Sequence, residues 1–366
     1  MMKKLAYIVL LLAAFSCETP LFVDPVGPQR ELVLQARLFT SDSLHTVYAA
    51  YSLHDSLSRA EDLCVSCYVN GERVAQVTEA SRVKDKLGYQ DDPHLSAYCF
   101  LADIHPGDSV RIEAEGPENR AVAKVKAPAA PPVPEVTVEK VTRQDADGRE
   151  QRCFRFRLRV RDISGERNWY RLDVATRRML EWYAPAGYYY FWEEDGWRIT
   201  DDSNDATWDV RMDNTRDPVL NPDGRSVERW NHDYQANEYN FFTDELFEDG
   251  VVDLTLDGLC SDFISYEHCG FIIVGSYDRY RSSHTAFISL QSLSREDYLN
   301  SRLMEMDYFQ PTGIPFVDGL FSEDIVLPRN VEGGLGLVTV RSVSRVTVDL
   351  GIREFSFESF DDLPSE

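Results

Sequence analysis

The chain is short of positive charge. It carries 38 Lys and Arg against 62 Asp and Glu, a formal net charge of −24 at pH 7. Such a surface repels phosphate backbones, so nucleic acid is not an expected partner. Beyond Phe15 no apolar run reaches membrane-span length, which leaves the body without a helical anchor of its own. HExxH, GxSxG, Walker and EF-hand patterns are all missing. The seven histidines are scattered, with no spacing that pairs them to Ser or Cys. No catalytic residue, metal or cofactor is therefore assigned. The single SxxK match, Ser81-Arg82-Val83-Lys84, lacks its companion motifs and reads as part of a polar loop.

What the sequence does have begins at its N-terminus. Lys3 and Lys4 precede an apolar run from Leu5 to Phe15, and Ala13, Ala14 and Ser16 lead to Cys17. The run is too short to cross a bilayer and reads as a signal peptide, residues 1–16. Ala14-Phe15-Ser16-Cys17 has the form of a lipobox, which makes Cys17 the lipidated N-terminus of the exported chain. Several acyl chains on one residue anchor stably, at about 0.8 kcal/mol per buried methylene. Polar residues 17–30, with three prolines and a glycine, follow as a tether.

From Glu31 the pattern is that of strands. Glu31–Phe39, His45–Ser52, Asp62–Val69, Glu72–Thr78, Ser96–Ala102, Asp108–Glu115 and Arg120–Lys126 alternate apolar and polar residues or are rich in β-branched and aromatic ones. Asn70-Gly71 marks a tight hairpin. These spacings predict an immunoglobulin-like β-sandwich over 31–126. Four prolines in Ala127–Pro134 make a stiff connector and the boundary to a second β-rich unit, sandwich or barrel-like, over 135–358. In that unit Cys153–Arg161 alternates Phe154, Phe156, Leu158 and Val160 with four arginines, a half-buried strand with a basic outer face. Trp169–Val174, Val251–Leu256, Gly270–Tyr277, Thr285–Leu290, Ile325–Leu327 and Leu337–Asp349 continue the series. One helix is expected: Ser294 as N-cap, Asp297 at N3, then Leu299, Leu303 and Met306 at helical spacing.

Residues 181–249 stand out as an insertion with 18 acidic and 5 basic residues. Trp182, Tyr188, Tyr190, Trp192, Trp197, Trp208 and Trp230 crowd into or beside it. Such aromatics make either a sheet face or a surface for glycan, peptide or protein, because Trp and Tyr dominate recognition hot spots. Glu193 and Glu194 beside Trp192 also allow a carboxylate-pair hydrolase. Six cysteines follow Cys17. Cys260 and Cys269 flank a short loop and are a candidate disulfide, and Cys64 or Cys67 is a candidate partner for Cys99. Residues three apart on a strand face opposite ways, which argues against a redox role for Cys64-Val65-Ser66-Cys67.

Ser292-Leu293-Ser294-Arg295-Glu296-Asp297-Tyr298, Pro315-Phe316 and above all Asn330-Val331-Glu332-Gly333-Gly334-Leu335-Gly336 carry a resemblance. With the lipobox, Pro106-Gly107-Asp108-Ser109-Val110 and the proline break, the chain resembles a Bacteroidota family of outer-membrane lipoproteins of unknown function. That family is often encoded beside TonB-dependent receptors, so the resemblance implies, by association, a non-enzymatic accessory role in uptake at the outer membrane. It transfers no catalytic residue. Ser43 and Ser56, each in an Asp-Ser-Leu triplet, resemble O-glycosylation sites of the same phylum. A surface adhesin or structural envelope lipoprotein is the alternative reading. The glycines of the 330–336 segment read as a close backbone approach or positive φ at the start of a strand.

Overall fold

Alternation fixes the first strand. In β1 (Glu31–Phe39) the residues Leu32, Leu34, Ala36 and Leu38 are buried and the intervening ones face away. The computed structural model describes residues 30–53, 56–84, 91–144, 150–184, 196–199, 207–208, 212–214, 217–220, 240–259, 279–309 and 328–356. After β1 come β2 (Leu44–Leu53), β3 (Ser56–Arg59), β4 (Cys64–Val69), β5 (Glu72–Val77), β6 (Ser81–Lys84), β7 (Asp91–Leu101), β8 (Ser109–Glu115) and β9 (Arg120–Lys126). The segment 81–84, expected as loop, is thus the edge strand β6, paired to β7. Asn70 and Gly71 take positive φ (52° and 88°) between β4 and β5, as a two-residue hairpin of this twist requires.

The second half holds β10 (Glu135–Gln144), β11 (Glu150–Arg161), β12 (Trp169–Ala184), β13 (Gly196–Ile199), β14 (Thr207–Trp208), β15 (Met212–Asp213) and β16 (Phe241–Thr243). A 3-10 turn, β17 (Val251–Leu259), β18 (Arg279–Leu293), the helix α1 (Arg295–Phe309), β19 (Val331–Glu332) and β20 (Leu335–Ser356) follow. The protein is mainly β. Ser294 Oγ accepts the Asp297 N–H at 3.1 Å, so the helix starts at the predicted cap.

One 11-stranded sheet runs through the molecule in the order β13-β12-β18-β20-β1-β2-β7-β6, with β14, β16 and β3 attached at its sides. Its spine is the 22-residue β20. Val338 and Val340 of that strand enter a first core with Leu32, Leu34, Val47, Tyr98, Ile112 and Ala123. Farther on, Val346, Val348 and Leu350 enter a second core with Phe156, Leu158, Leu172, Leu254 and Ile288. All five are even-numbered, so both cores lie on one face of the large sheet. The five-stranded sheet β19-β9-β8-β4-β5 closes the first and the four-stranded sheet β10-β11-β17-β15 closes the second. The two sandwiches therefore share a backing sheet, and the N-terminal one draws Val331, Val338 and Val340 from the far end of the chain.

The proline segment between them is fastened down. Ser342 Oγ donates to Pro128 O at 2.6 Å, and Ser344 Oγ donates to Pro131 O. The arginine row of β11 is not a bare basic face either. Arg155 and Arg159 meet Asp257 and Asp253 on β17, while Arg157 and Arg161 meet Glu139 and Glu135 on β10. Carboxylates on both neighbouring strands thus neutralise the charge that the strand alone presents.

Candidate functional site

Three described strands of the aromatic insertion, β13, β14 and β16, lie along one edge of β12. One side of β12 pairs with β18 from Trp169 to Trp182. Its other side takes β13 opposite Glu181–Ala184, then β14 opposite Thr176 and Arg177, then β16 opposite Trp169–Arg171. In chain order these three strands meet β12 first at its end, then at its middle, then at its start. On the way β15 adds to β17 of the facing sheet. Asp217, almost fully buried, pins this stretch by accepting from Thr255 N at 2.6 Å and from Val219 N and Leu220 N at 2.9 Å. At the far end Arg281 grips Glu181 with two bonds, 2.5 and 2.8 Å.

This edge holds Trp182 and Trp197 in neighbouring strands: Trp182 lies opposite Arg198 and Tyr183 opposite Trp197. Trp208 lies opposite Thr176. Tyr188, Tyr190, Trp192, Trp230, Glu193 and Glu194 fall outside the described residues, as do Cys17 and the proposed Cys260–Cys269 pair. Ser43 is exposed in the turn before β2, and Ser56 opens β3 opposite Leu53. Among the described residues no group of three or more His, Cys, Asp or Glu is placed to hold a metal.

The pairing of Cys99 with Cys64 or Cys67 is not formed: all three are free cysteines. Cys99 is exposed on β7, with its Sγ 3.5 Å from Thr46 Oγ1. Cys67 points from β4 into the first core, and Cys64 faces the other way, where its sulfur accepts from Gln76 Nε2 at 2.9 Å. The two strands belong to opposite sheets of the sandwich, and stacked sheets are about 10 Å apart, beyond disulfide reach. Burial lifts the Cys67 thiol to about 11, so it is inert as a nucleophile.

A polar cluster that sequence reasoning missed sits on the opposite face of the large sheet, beneath α1. Arg341 is 1% exposed. Its Nε and Nη2 donate to the two oxygens of Asp297 at 2.6 and 2.7 Å, its Nη2 to Ser301 Oγ at 2.8 Å, and its Nη1 to Gln291 Oε1 at 2.9 Å. Arg37 Nη2 reaches Ser301 Oγ at 3.3 Å. Gln291 Nε2 donates to Asp173, which also accepts from Arg171 and Asn240 at 2.8 and 3.1 Å. Burial alone would raise the Asp297 pKa, but the Arg341 hydrogen bonds and charge outweigh it and hold the carboxyl below the usual range. Arg341 thus ties α1 to β20 and to Gln291 of β18.

A family model described as Domain of unknown function (DUF4249) matches residues 36–347. The match runs from β1 into β20 and takes in both sandwiches, the β12 edge and α1. No curated protein matches the chain.

Proposed function

We propose, from the premise that the chain belongs to this family of unknown function, that it is a non-enzymatic outer-membrane lipoprotein that assists a TonB-dependent receptor in capturing or importing a ligand. Cys17 supplies the lipid anchor and residues 17–30 the tether. The observation that carries the reading is the aromatic, acidic excursion 181–249, fastened at both ends to one edge of β12. That arrangement offers an extended recognition surface on a rigid support, where aromatics stack on sugar or peptide. The N-terminal sandwich serves as the spacer between membrane and contact surface.

Tyr188, Tyr190 and Trp192 lie in the sequence between β12 and β13. Their joint replacement by Ala is expected to weaken receptor association by at least roughly tenfold, at unchanged protein abundance, as loss of an aromatic anchor does. Quantitative co-purification checks this, and unchanged association would remove the excursion from the proposal. Cys17→Ser is expected to release the protein from the membrane fraction.

A further inference from the structure

The back of the large sheet joins two elements that are far apart in sequence. β16, the return strand of the excursion, carries Asn240 at its threshold and Phe241 in its first position. Phe241 meets Tyr298 of α1 edge-on, with ring centroids 6.1 Å apart at 84°, inside a small cluster with Leu293, Trp169 and Leu299. Beside it runs the polar chain. Asn240 Nδ2 donates to Leu172 O at 2.6 Å and to Asp173 at 3.1 Å. Asp173 holds Gln291, Gln291 holds Arg341, and Arg341 holds Asp297 and Ser301 on the helix. Both the apolar and the polar seat of α1 are thus built partly from the two consecutive residues that bring the excursion back to the sheet.

The seat is also thin. β16 pairs over three residues only. Asn240 Oδ1 is buried without a hydrogen-bond partner among the described residues, and a partly satisfied polar network is where a fold opens at least cost.

We infer that β16 and α1 form one conformational latch on the back of the sheet, engaging and releasing together, so that a displacement of the excursion's return strand is read out at α1. The coupling is reciprocal, since each element stabilises the other through the same contacts. It does not depend on what the excursion binds, so its failure would leave the proposed function untouched.

Hydrogen exchange on the full exported chain, read by mass spectrometry, tests this. In rising urea, the peptides covering 240–246 and 295–302 are expected to open together, at lower urea than those of β4 and β8. Phe241→Ala is expected to speed exchange in α1 at least roughly tenfold, and Tyr298→Ala to speed exchange in β16 by a similar factor, with β4 and β8 unchanged. Acceleration confined to the substituted element, or opening of both only with β4 and β8, would overturn the latch. The urea series needs no variant, so a substitution that fails to fold does not block the test.

Discussion

Gly336→Ala is expected to cost about 2–6 kcal/mol and to leave much of the chain unfolded or aggregated. Gly336 has φ +110°, and a Cβ there would stand 2.0 Å from Leu34 O and 2.9 Å from the Leu34 carbonyl carbon. Those atoms belong to β1, the parallel partner of β20, in register Leu34 to Gly336. The chain cannot yield without parting the strands on which the first core is built. The magnitude combines about 1–3 kcal/mol for the conformation with about 1–3 for forced displacement, against a typical total of about 5–15. Gly334 is crowded in the same way by Leu32 O at 2.3 Å and Gly333 by Arg120 O at 2.4 Å. Together the three let the chain cross from β19, in the five-stranded sheet, to β20, in the large one. Asn330 completes the crossing: its side chain donates to Val338 O at 2.7 Å and accepts from Val338 N at 2.9 Å. Gly107→Ala is the control. Its φ is +90° with nothing within 4 Å of a new Cβ, so it is expected to lose only about 1 kcal/mol by urea titration.

Arg341→Met is expected to destabilise the fold by about 3–5 kcal/mol, because it takes the guanidinium from the buried Asp297 carboxylate and the donor from Gln291 Oε1. Adding Asp297→Leu is expected to recover much of that loss, since two apolar side chains replace the ion pair without an orphan charge. Urea midpoints of the single and double variants measure both effects, and a double variant as weak as the single would assign the cost to lost packing instead. The pair also sets an acid limit. The folded pKa of Asp297 is depressed, so its contribution is present above the unfolded Asp value of about 3.9 and is lost as pH falls through the folded value. Between about pH 5 and pH 3 the native chain is expected to lose stability more steeply than the double variant.

The sequence shows its local structure plainly and its long-range structure poorly. β1, β9 and the Asn70-Gly71 hairpin are legible because alternation and turn chemistry act within a few residues. β10 follows directly on the prolines, with only Val136, Val138 and Val141 to mark it, and no strand is read there. Nothing local announces that β1 pairs in parallel with β20, because parallel pairing leaves no turn in the sequence. For that reason a division at 127–134 does not reveal that the N-terminal core is finished by Val338 and Val340. The three crowded glycines are readable as a close approach, though not as a crossing between sheets. Arg341 and Asp297 look in sequence like ordinary surface charges, one in an alternating strand and one in a first helical turn. Only the seating of α1 on the sheet joins them. At the candidate surface, Trp182, Trp197 and Trp208 fall in strands of one edge, which the clustering of aromatics foreshadows.

The proposed role is tested most directly by purifying the lipidated protein from gently solubilised outer membranes and identifying its companions by mass spectrometry. A TonB-dependent receptor in stoichiometric amount is the predicted result. Recovery from the same membranes of the protein alone, or with envelope or matrix proteins but no receptor, would contradict it and favour the adhesin reading.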